Sequence, residues 1–388
     1  MREVVVLSAV RTPIGRFGGA LKALTAVDLG RLAVQEALVR ARVEPGEVDL
    51  VVLGHARPAG VGPNPARQVL IRAGIPCSAP AFTVNQACGS GLAAVSLAAD
   101  RIRLGEADVV VAAGAESMTR VPYLLPHARW GRKMGHDTLV DSMYQDGFMC
   151  PLAGMVMGET VEHLAERYGL SREEQDAFAL ESQVRANRAW EEGRFDAEVV
   201  PVATGEARLE RDEHPRADTT LEKLAKLPGV FSREGTITAG NSSGLTDGAS
   251  ALVLMAADVA RARGLDPLAR FVAGWAAGVD PREMGIGPVA AMRRWFDRHG
   301  GSMEDFDLVE LNEAFAAQVL ACVRDLDLPR ERLNVNGGAI ALGHPIGCSG
   351  NRLAVTLIHE MRRRQARRGL ATLCVSGGQG LAAIFELP

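Results

Sequence analysis

The sequence predicts an α/β fold in which two duplicated halves, each with a mixed sheet, stack around buried helices and carry an inserted loop domain. Three observations predict this class. Short apolar runs of strand type alternate with helical stretches along the chain. Segments of the first third recur in the last third. A length of 388 residues exceeds what one ordinary hydrophobic core organises, which favours two or three domains.

The strands and helices follow from the spacing of apolar residues. Strand-type runs occupy 4–7, 50–53 and 109–113, and helical patterns occupy 29–41, 91–104 and 352–364. The pattern at 91–104 is apolar nearly all round, so this helix is expected to be buried. A capping box, Ser171 with Glu174, predicts the start of a long helix that runs to about Trp190.

A weak internal repeat indicates that one α/β unit is duplicated. The segments 49–53, 87–91 and 109–114 are echoed in order and at nearly constant spacing by 307–311, 347–350 and 371–376. The repeat predicts an N-terminal half at 1–116 that is completed by about 245–265, a C-terminal half at 266–388, and between them an insert at 117–244. We expect the insert to lie over the first half.

Composition excludes several classes of protein. Lys plus Arg number 43 against 47 Asp plus Glu, a net charge of −4, which argues against a nucleic-acid-binding surface. No apolar stretch is long enough to span a membrane, and residues 1–9 have the character of a strand rather than a signal peptide. The six cysteines are scattered without a C-x-x-C pair, which predicts free thiols and a cytoplasmic protein.

Cys88 is the first candidate for chemistry. It lies between a strand-type run at 81–84 and the buried helix, in the sequence N-Q-A-C-G-S-G. A thiol at a helix N-terminus faces free N–H groups and the positive end of the helix dipole, which favour the thiolate. A single cysteine is more commonly a small packing residue. The strand–Cys–Gly–helix context favours a nucleophile.

Three further residues occur in unusual settings. His344 is the one histidine held in a glycine-rich loop, at 337–347, which favours a catalytic role over a structural one. Cys374 ends a strand just before a glycine-rich turn, and packing and function are equally supported there. Asn312 could bind a water or a carbonyl oxygen, but taken alone it is better explained as a helix N-cap.

Together these blocks resemble the thiolase family, whose members make or cleave the carbon–carbon bond of a 3-oxoacyl-CoA. The resemblance rests on N-x-x-C-G-S-G at 85–91, N-E-A-F-A at 312–316, G-G-A-I-A-L-G-H-P-I-G at 337–347 and C-x-x-G-G at 374–378. The glycine-rich segment 238–244 agrees with it. The motifs occur in family order and span essentially the whole chain. The expectation that coenzyme A is a substrate comes from this resemblance alone.

The resemblance implies roles for individual residues. Cys88 is expected to take the acyl group, His344 to remove its proton, and Cys374 to act as acid and base on the second acyl-CoA. Asn312 is expected to hold a water that, with His344, stabilises the enolate oxygen. The backbone N–H groups of Cys88 and Ser376 are expected to form an oxyanion hole for the acyl-enzyme.

The resemblance also implies a binding site for CoA and the acyl group in the insert and beyond it. The residues expected to line it are Arg216, Phe231, Ser243, Met157, Met284 and Phe315. CoA is a substrate here, and neither a cofactor nor a metal is expected. Ser376 stands where many members have Gly, Val156 stands where short-chain biosynthetic members have His, and Cys348 occupies the repeat position of Cys88 as a packing thiol.

The expected reaction is the reversible Claisen condensation of two acyl-CoA, such as two acetyl-CoA giving acetoacetyl-CoA and CoA, or the reverse thiolysis, through acyl-Cys88. A broad-range 3-ketoacyl-CoA thiolase of fatty-acid β-oxidation is the alternative within lipid metabolism. A ketoacyl synthase that uses a carrier protein and a silent CoA-binding subunit are less well supported. The family also implies a homodimer or a homotetramer, assembled through residues around 122–141.

Overall fold

The computed structural model describes residues 1–205 and 207–388. The strands in these ranges are β1 Val4–Arg11, β2 Gly15–Arg16, β3 Leu50–Gly54, β4 Ala81–Val84, β5 Val109–Ser117, β6 Tyr123–Leu124, β7 Val140–Asp141, β8 Met149–Cys150, β9 Met155–Val156, β10 Val202–Thr204, β11 Ala207–Leu209, β12 Thr246–Ala256, β13 Ala269–Gly278, β14 Leu308–Leu311, β15 Arg368–Val375 and β16 Gln379–Glu386. The α-helices are α1 Ala26–Ala41, α2 Pro65–Arg72, α3 Ser90–Arg103, α4 Met157–Arg167, α5 Arg172–Glu191, α6 Leu221–Ala225, α7 Ala257–Ala262, α8 Gly287–His299, α9 Ala316–Leu326, α10 Ala339–Leu342 and α11 Ile346–Arg364. Short 3-10 turns lie at Pro45–Glu47, Met118–Arg120, Ala128–Trp130, Pro281–Ile286 and Met303–Asp305, and a π-helical turn lies at Tyr144–Phe148.

The two halves each contain a mixed sheet, as the sequence predicts. In the first half the strands run in the order β4-β3-β5-β12-β1, with β3 parallel to both β4 and β5 and with β12 antiparallel to its two neighbours. In the second half the order is β14-β15-β16-β13, and the one parallel pair is β14 with β15. Val4–Val6 of β1 pair with Ala269–Phe271 of β13, which joins the two sheets by backbone hydrogen bonds.

Helices cover both faces of the two sheets. α3 and α11 lie between the sheets and share one apolar cluster with strands of both halves. α1 and α2 cover the outer face of the first sheet, and α8 and α9 cover that of the second. A strand that is covered on both faces has a continuous apolar run rather than an alternating one, which explains why β5 and β12 are buried over their full length.

The central helices approach each other closely near their N-termini. A Cβ atom on Gly91 of α3 would lie 2.7 Å from the backbone nitrogen of Asn351 in α11. A Cβ atom on Gly350 would lie 2.6 Å from the backbone nitrogen of Leu92. Only glycine permits this separation. The loops that precede the two helices, and that carry Cys88 and His344, therefore end side by side.

The helix boundaries agree with the predictions in two cases and differ in two, one of which is α1, which begins at Ala26 rather than at 29. α3 lies within a residue of the predicted 91–104, and the capping box of α5 is confirmed, since Ser171 and Glu174 bond each other's backbone N–H groups. α11 begins at Ile346, six residues before the predicted start at 352. Gly347 and Gly350 lower the helix propensity there, but packing against α3 overrides it.

Residues 117–244 contain three small two-stranded ribbons and the helices α4, α5 and α6. The expectation that this segment lies over the first half is wrong for its helices. Val161 of α4 and Phe178 of α5 belong to the apolar cluster of the second half, together with Val319 of α9. Their apolar faces are buried against α9 because that helix is itself largely apolar.

Within the described ranges, no helix combines the length and apolar character that a membrane span requires.

Candidate active site

One cavity of about 590 Å³ brings most of the candidate residues together. Its walls include Cys88, His344, Cys374 and Ser376, and also Met157, Arg216, Phe231, Ser243, Met284 and Phe315. These residues come from loops and strands of both halves and from the segment between them. Asn312 is the one candidate that does not line the cavity. Its buried side chain lies behind His344.

A short, firmly held loop between β4 and α3 carries Cys88. The Oδ1 atom of Asn85 accepts the N–H of Ala87 at 3.0 Å. The Oγ atom of Ser90 accepts the N–H of Gln86 at 2.9 Å and donates to the carbonyl oxygen of Ala87 at 2.6 Å. Ala87 has φ 44°, a left-handed conformation that is uncommon for a non-glycine residue. The loop therefore holds a strained residue directly before the candidate nucleophile.

The Cys88 thiol is half-buried and feels opposing influences. Burial raises the pKa of this thiol above its ordinary value, whereas the Arg57 guanidinium and the backbone N–H groups of Ser376 and Cys88 act to lower it. Burial is the largest of these effects. The net direction therefore differs from the expectation of a lowered pKa, because burial outweighs the influences that favour the thiolate. The thiol keeps its proton until a base removes it.

His344 is oriented by contacts on both of its ring nitrogens. Nδ1 lies 2.5 Å from the Oγ atom of Ser349, and this hydroxyl is also within donating distance, 2.9 Å, of the carbonyl oxygen of Pro345. Nε2 faces the Nδ2 atom of Asn312, a donor, at 3.5 Å. If Nδ1 carries the ring proton, it donates a hydrogen bond to Ser349, and Ser349 donates to Pro345. The Nε2 lone pair then faces the Nδ2 donor of Asn312.

Burial also fixes the charge of His344. It lowers the pKa of the imidazole to about 3, and the nearby Arg352 and Arg57 guanidinium groups act in the same direction. The ring is therefore neutral at ordinary pH. A neutral imidazole with a free Nε2 lone pair is an acceptor for a proton.

Asn312 follows β14 and is fully buried. Its N–H donates to the carbonyl oxygen of Thr372 at 3.0 Å, and its Oδ1 atom has no partner among the described residues. The interpretation of Asn312 as a helix N-cap is wrong. α9 begins at Ala316, and the residue at its N-cap position is Phe315.

Cys374 lies near the end of β15, where its residue pairs with Gly380 of β16. Burial raises the pKa of its thiol well above the ordinary value, and the neighbouring Cys88 adds to the effect. Both thiols line the same cavity. Cys374 is therefore a neutral thiol that holds its proton strongly.

The remaining predicted residues form an apolar wall and a polar mouth. The Phe231 and Phe315 rings meet edge to face, with 6.1 Å between centroids. A Cβ atom on Gly158 would lie 2.1 Å from the Phe231 ring, so the position after Met157 requires glycine. Arg216 is exposed, and its backbone N–H donates to Gln183 at 2.8 Å.

Sequence reasoning missed several residues of the cavity wall. These are Arg57, Ala87, Met118, Tyr144, Phe148, Val230, His214 and Ile346. Arg57 had one weak signal: a charged residue three positions after a buried strand lies near the end of a sheet, where sites commonly form. The aromatic residues lie in a short π-helical turn, where no sequence periodicity indicates which side chains point inward. Among the described residues, no group of three or more His, Cys, Asp or Glu side chains is placed to hold a metal ion.

Comparison with known proteins agrees with this architecture. Residues 4–258 match the family described as thiolase, N-terminal domain, and residues 265–387 match thiolase, C-terminal domain. The chain belongs to the thiolase family, and the two matches together cover nearly all of it. It is accordingly an acyltransferase by family.

Individual relatives resemble the chain over their full length. An acetyl-CoA acetyltransferase of Pseudomonas aeruginosa is 52% identical over 387 residues, which is 98% of each chain. The crystal structure of the Bacillus anthracis acetyl-CoA acetyltransferase has a TM-score of 0.97 at 47% identity and covers 100% of this chain and 99% of its own. Human mitochondrial 3-ketoacyl-CoA thiolase in complex with CoA has the same TM-score at 43% identity, with coverage of 100% and 98%.

Proposed function

We propose that this chain catalyses the reversible thiolysis of 3-oxoacyl-CoA, and in reverse the Claisen condensation of two acyl-CoA such as acetyl-CoA. The observation that carries the proposal is that the half-buried thiol of Cys88 and the buried thiol of Cys374 share one cavity with a neutral imidazole, His344. Thiolysis needs one nucleophile for the acyl group and a separate acid for the departing carbanion. This cavity provides both.

In thiolysis, Nε2 of His344 takes the proton of the Cys88 thiol, and the thiolate attacks the 3-oxo carbon. The bond between C2 and C3 breaks, and its electron pair remains on C2 as the enolate of the shorter acyl-CoA. Cys374 donates its proton to C2. The high pKa of Cys374 keeps it protonated until this moment and makes its thiolate a strong base in the condensation direction.

The acyl group is then bound to Cys88 as a thioester. Free CoA gives its thiol proton to the Cys374 thiolate and attacks the thioester, which releases Cys88 as a thiolate. Nε2 of His344 then returns its proton to Cys88, which restores the enzyme. Negative charge develops twice on oxygen. The N–H groups of Cys88 and Ser376 are proposed to stabilise it on the acyl-enzyme, and His344 with a water held by Asn312 is proposed to stabilise it on the enolate. The unpartnered Oδ1 atom of Asn312 supports the water site.

The acyl-CoA and CoA substrates would occupy the mouth and the apolar wall of the cavity. Arg216 and Ser243 would face the phosphates and pantetheine, and Phe231 and Phe315 would pack on the pantetheine chain. CoA acts as a substrate in this proposal, and no cofactor takes part. A broad range of chain lengths is the second candidate, because Phe148, Met157 and Val156 make the wall near Cys88 apolar.

Assembly and location are parts of the same proposal. Large apolar side chains are exposed between 123 and 139, where the family implies a contact between subunits; they are Tyr123, Leu125, Trp130, Met134 and Leu139. A homodimer or homotetramer would cover them. Gel filtration that gives a monomer contradicts this. The free state of all six cysteines supports a cytoplasmic protein, and β-oxidation is one pathway such an enzyme would serve.

The direct test is thiolysis of acetoacetyl-CoA by free CoA, beside a longer 3-oxoacyl-CoA. Cys88→Ala is expected to abolish turnover of both, because no acyl-enzyme forms. Cys348→Ala is the matched control: this buried thiol contacts Ser250 at 3.2 Å outside the cavity, and its loss is expected to change kcat less than threefold or so. Absence of turnover in the folded wild type contradicts the proposal and favours a carrier-protein synthase or a silent subunit.

A further inference from the structure

Arg57 is a buried cation in the wall of the substrate cavity, and the mechanism above gives it no direct role. It lies three residues beyond β3 and is 5% exposed. Its Nη1 atom donates to the carbonyl oxygen of Ala56 at 3.0 Å, and its Nε atom has no partner. Within the residues that the structure describes, no carboxylate lies within ion-pair distance of it. A buried guanidinium without a counter-ion is costly, which calls for an explanation.

The acidic residue on the adjoining strand, Glu116 at the end of β5, is engaged elsewhere. One of its oxygens accepts the N–H groups of Ala56 at 3.0 Å and Gly347 at 2.9 Å. The other lies 3.1 Å from Nδ1 of His55. The two ring nitrogens of His55 face the carbonyl oxygens of Ala115 at 2.9 Å and of Arg57 at 2.8 Å.

Glu116 thus accepts two backbone N–H groups and lies beside the His55 ring, and within the described residues it forms no ion pair with Arg57. The side chains that the structure describes around Arg57 therefore place no carboxylate at ion-pair distance from its guanidinium.

The cavity itself offers no compensation. In the described part of the chain, no Asp or Glu lines it, and its wall near Arg57 is apolar, with Met118, Phe148 and Ile346. The second arginine of the cavity, Arg216, lies at the mouth, among the residues that the proposed function assigns to CoA. Of the two cavities that Arg57 borders, the larger one also contains Cys88, so an acyl group bound to Cys88 is placed to bring an anion to the guanidinium.

The fold makes room for this guanidinium. A Cβ atom on Gly147 would lie 2.8 Å from Nη2 and 2.9 Å from Nε of Arg57, so the absence of a side chain at 147 lets the loop lie flat against it. Arg57 and Cys88 both line the substrate cavity. The far end of a short acyl chain on Cys88 can thus lie beside Arg57.

We infer that Arg57 recognises a carboxylate at the far end of the acyl group, so that the enzyme acts on CoA thioesters of 3-oxo dicarboxylic acids. The inference rests on the proposed thiolase function. For a six-carbon substrate the reaction is 3-oxoadipyl-CoA plus CoA giving succinyl-CoA plus acetyl-CoA, with succinyl-Cys88 as the intermediate. A guanidinium binds a carboxylate through two parallel hydrogen bonds, which neutral acyl groups cannot form.

The test compares two substrates of equal length, 3-oxoadipyl-CoA and 3-oxohexanoyl-CoA, which differ in a terminal carboxylate against a methyl group. The measured quantity is the ratio of their kcat/KM values. We expect the ratio to exceed about tenfold in favour of the carboxylate in the wild type, and to fall on the order of 100-fold in Arg57→Met, with a smaller fall in Arg57→Lys. Because the wild-type ratio needs no variant, a misfolded Arg57→Met does not remove the test.

Arg120→Met is the matched control. Arg120 is exposed and lines the small neighbouring cavity that Arg57 also borders, but not the substrate cavity, so its loss is expected to leave the ratio unchanged. A wild-type ratio near one, or an Arg57→Met variant that loses both substrates equally, overturns the inference. In the second case Arg57 acts on Cys88 rather than on the acyl group. Turnover of 3-oxohexanoyl-CoA in the wild type would still support the thiolase function.

Discussion

Ser349 lies one turn into α11, and its Oγ atom is 2.5 Å from Nδ1 of His344. The serine is itself fixed, because it is buried and contacts the carbonyl oxygen of Pro345 at 2.9 Å. The ring of His344 is therefore held from the side away from the cavity. This leaves Nε2 facing the Nδ2 atom of Asn312.

Removal of this contact is expected to slow catalysis without preventing binding. In Ser349→Ala the imidazole can take either tautomer and can rotate, so we expect kcat of acetoacetyl-CoA thiolysis to fall about tenfold while KM changes less than twofold or so. The measurement is steady-state kinetics with a thermal melt of the same variant. Ser250→Ala, which removes a buried hydroxyl that faces the same turn of α11, is the control and should retain kcat. An equal effect in both variants contradicts a positioning role for Ser349.

The pH dependence of turnover follows from the buried His344. Its pKa of about 3 lies below the ordinary value, so the ring is neutral from pH 5 upward. We therefore expect no fall in kcat at acid pH with a midpoint near 6.5, which is the ordinary histidine pKa. The measurement is kcat of thiolysis between pH 5 and 8 at saturating substrate. A fall in wild-type kcat with a midpoint near 6.5, absent from the residual activity of His344→Ala, contradicts a His344 ring that burial keeps neutral.

The buried thiols are expected to weaken the fold at high pH. Burial raises the pKa of Cys348 to about 11 and that of Cys322 to about 12. The unfolded chain releases these protons near pH 9, whereas the folded chain retains them, so stability is full below pH 9 and falls as pH rises above it. Each thiol contributes up to about 1.4 kcal/mol per pH unit.

Chemical denaturation with a reductant present, at pH 8, 9 and 10, measures this dependence. Cys348→Ala is expected to lessen the loss of unfolding free energy between pH 9 and 10 relative to the wild type. The exposed Cys77 provides the control, since Cys77→Ala should leave the pH dependence unchanged. A wild type whose unfolding free energy is constant up to pH 10 is incompatible with the burial of these groups.

The contact between α3 and α11 is expected to tolerate no side chain. Gly91→Ala would force a methyl group against the backbone nitrogen of Asn351, and we expect a loss of about 3 kcal/mol in unfolding free energy. Gly46→Ala is the control, because nothing lies within 4 Å of the added methyl group there. Thermal melts of the two variants measure the difference. Equal melting temperatures would show that the helices can separate at this point.

The sequence predicts the chemistry better than it predicts the packing around it. Cys88, His344 and Cys374 occur in glycine-rich blocks whose local pattern is visible without a structure, and the structure brings all three to one cavity. The duplication of the halves is also visible, because the repeated segments keep their order. These features depend on residues that are close in sequence.

Features that depend on distant residues are harder to predict. The pairing of Asn312 with His344 comes from the family resemblance, because the local pattern alone favours a helix cap. Arg57 carries no motif, and its significance follows from its burial in the cavity wall. The net sign of the Cys88 pKa shift depends on burial, which is a property of the whole cavity.

The position of β12 has a consequence for the order in which the chain folds. This strand, Thr246–Ala256, lies between β1 and β5 in the sheet. β1 and β5 are synthesised before it, and β12 can pair with them only after about 130 further residues have emerged. During synthesis both present open edges rich in valine and alanine. Such edges associate readily with other chains. We therefore expect a chain truncated before residue 246 to retain these open edges and to aggregate.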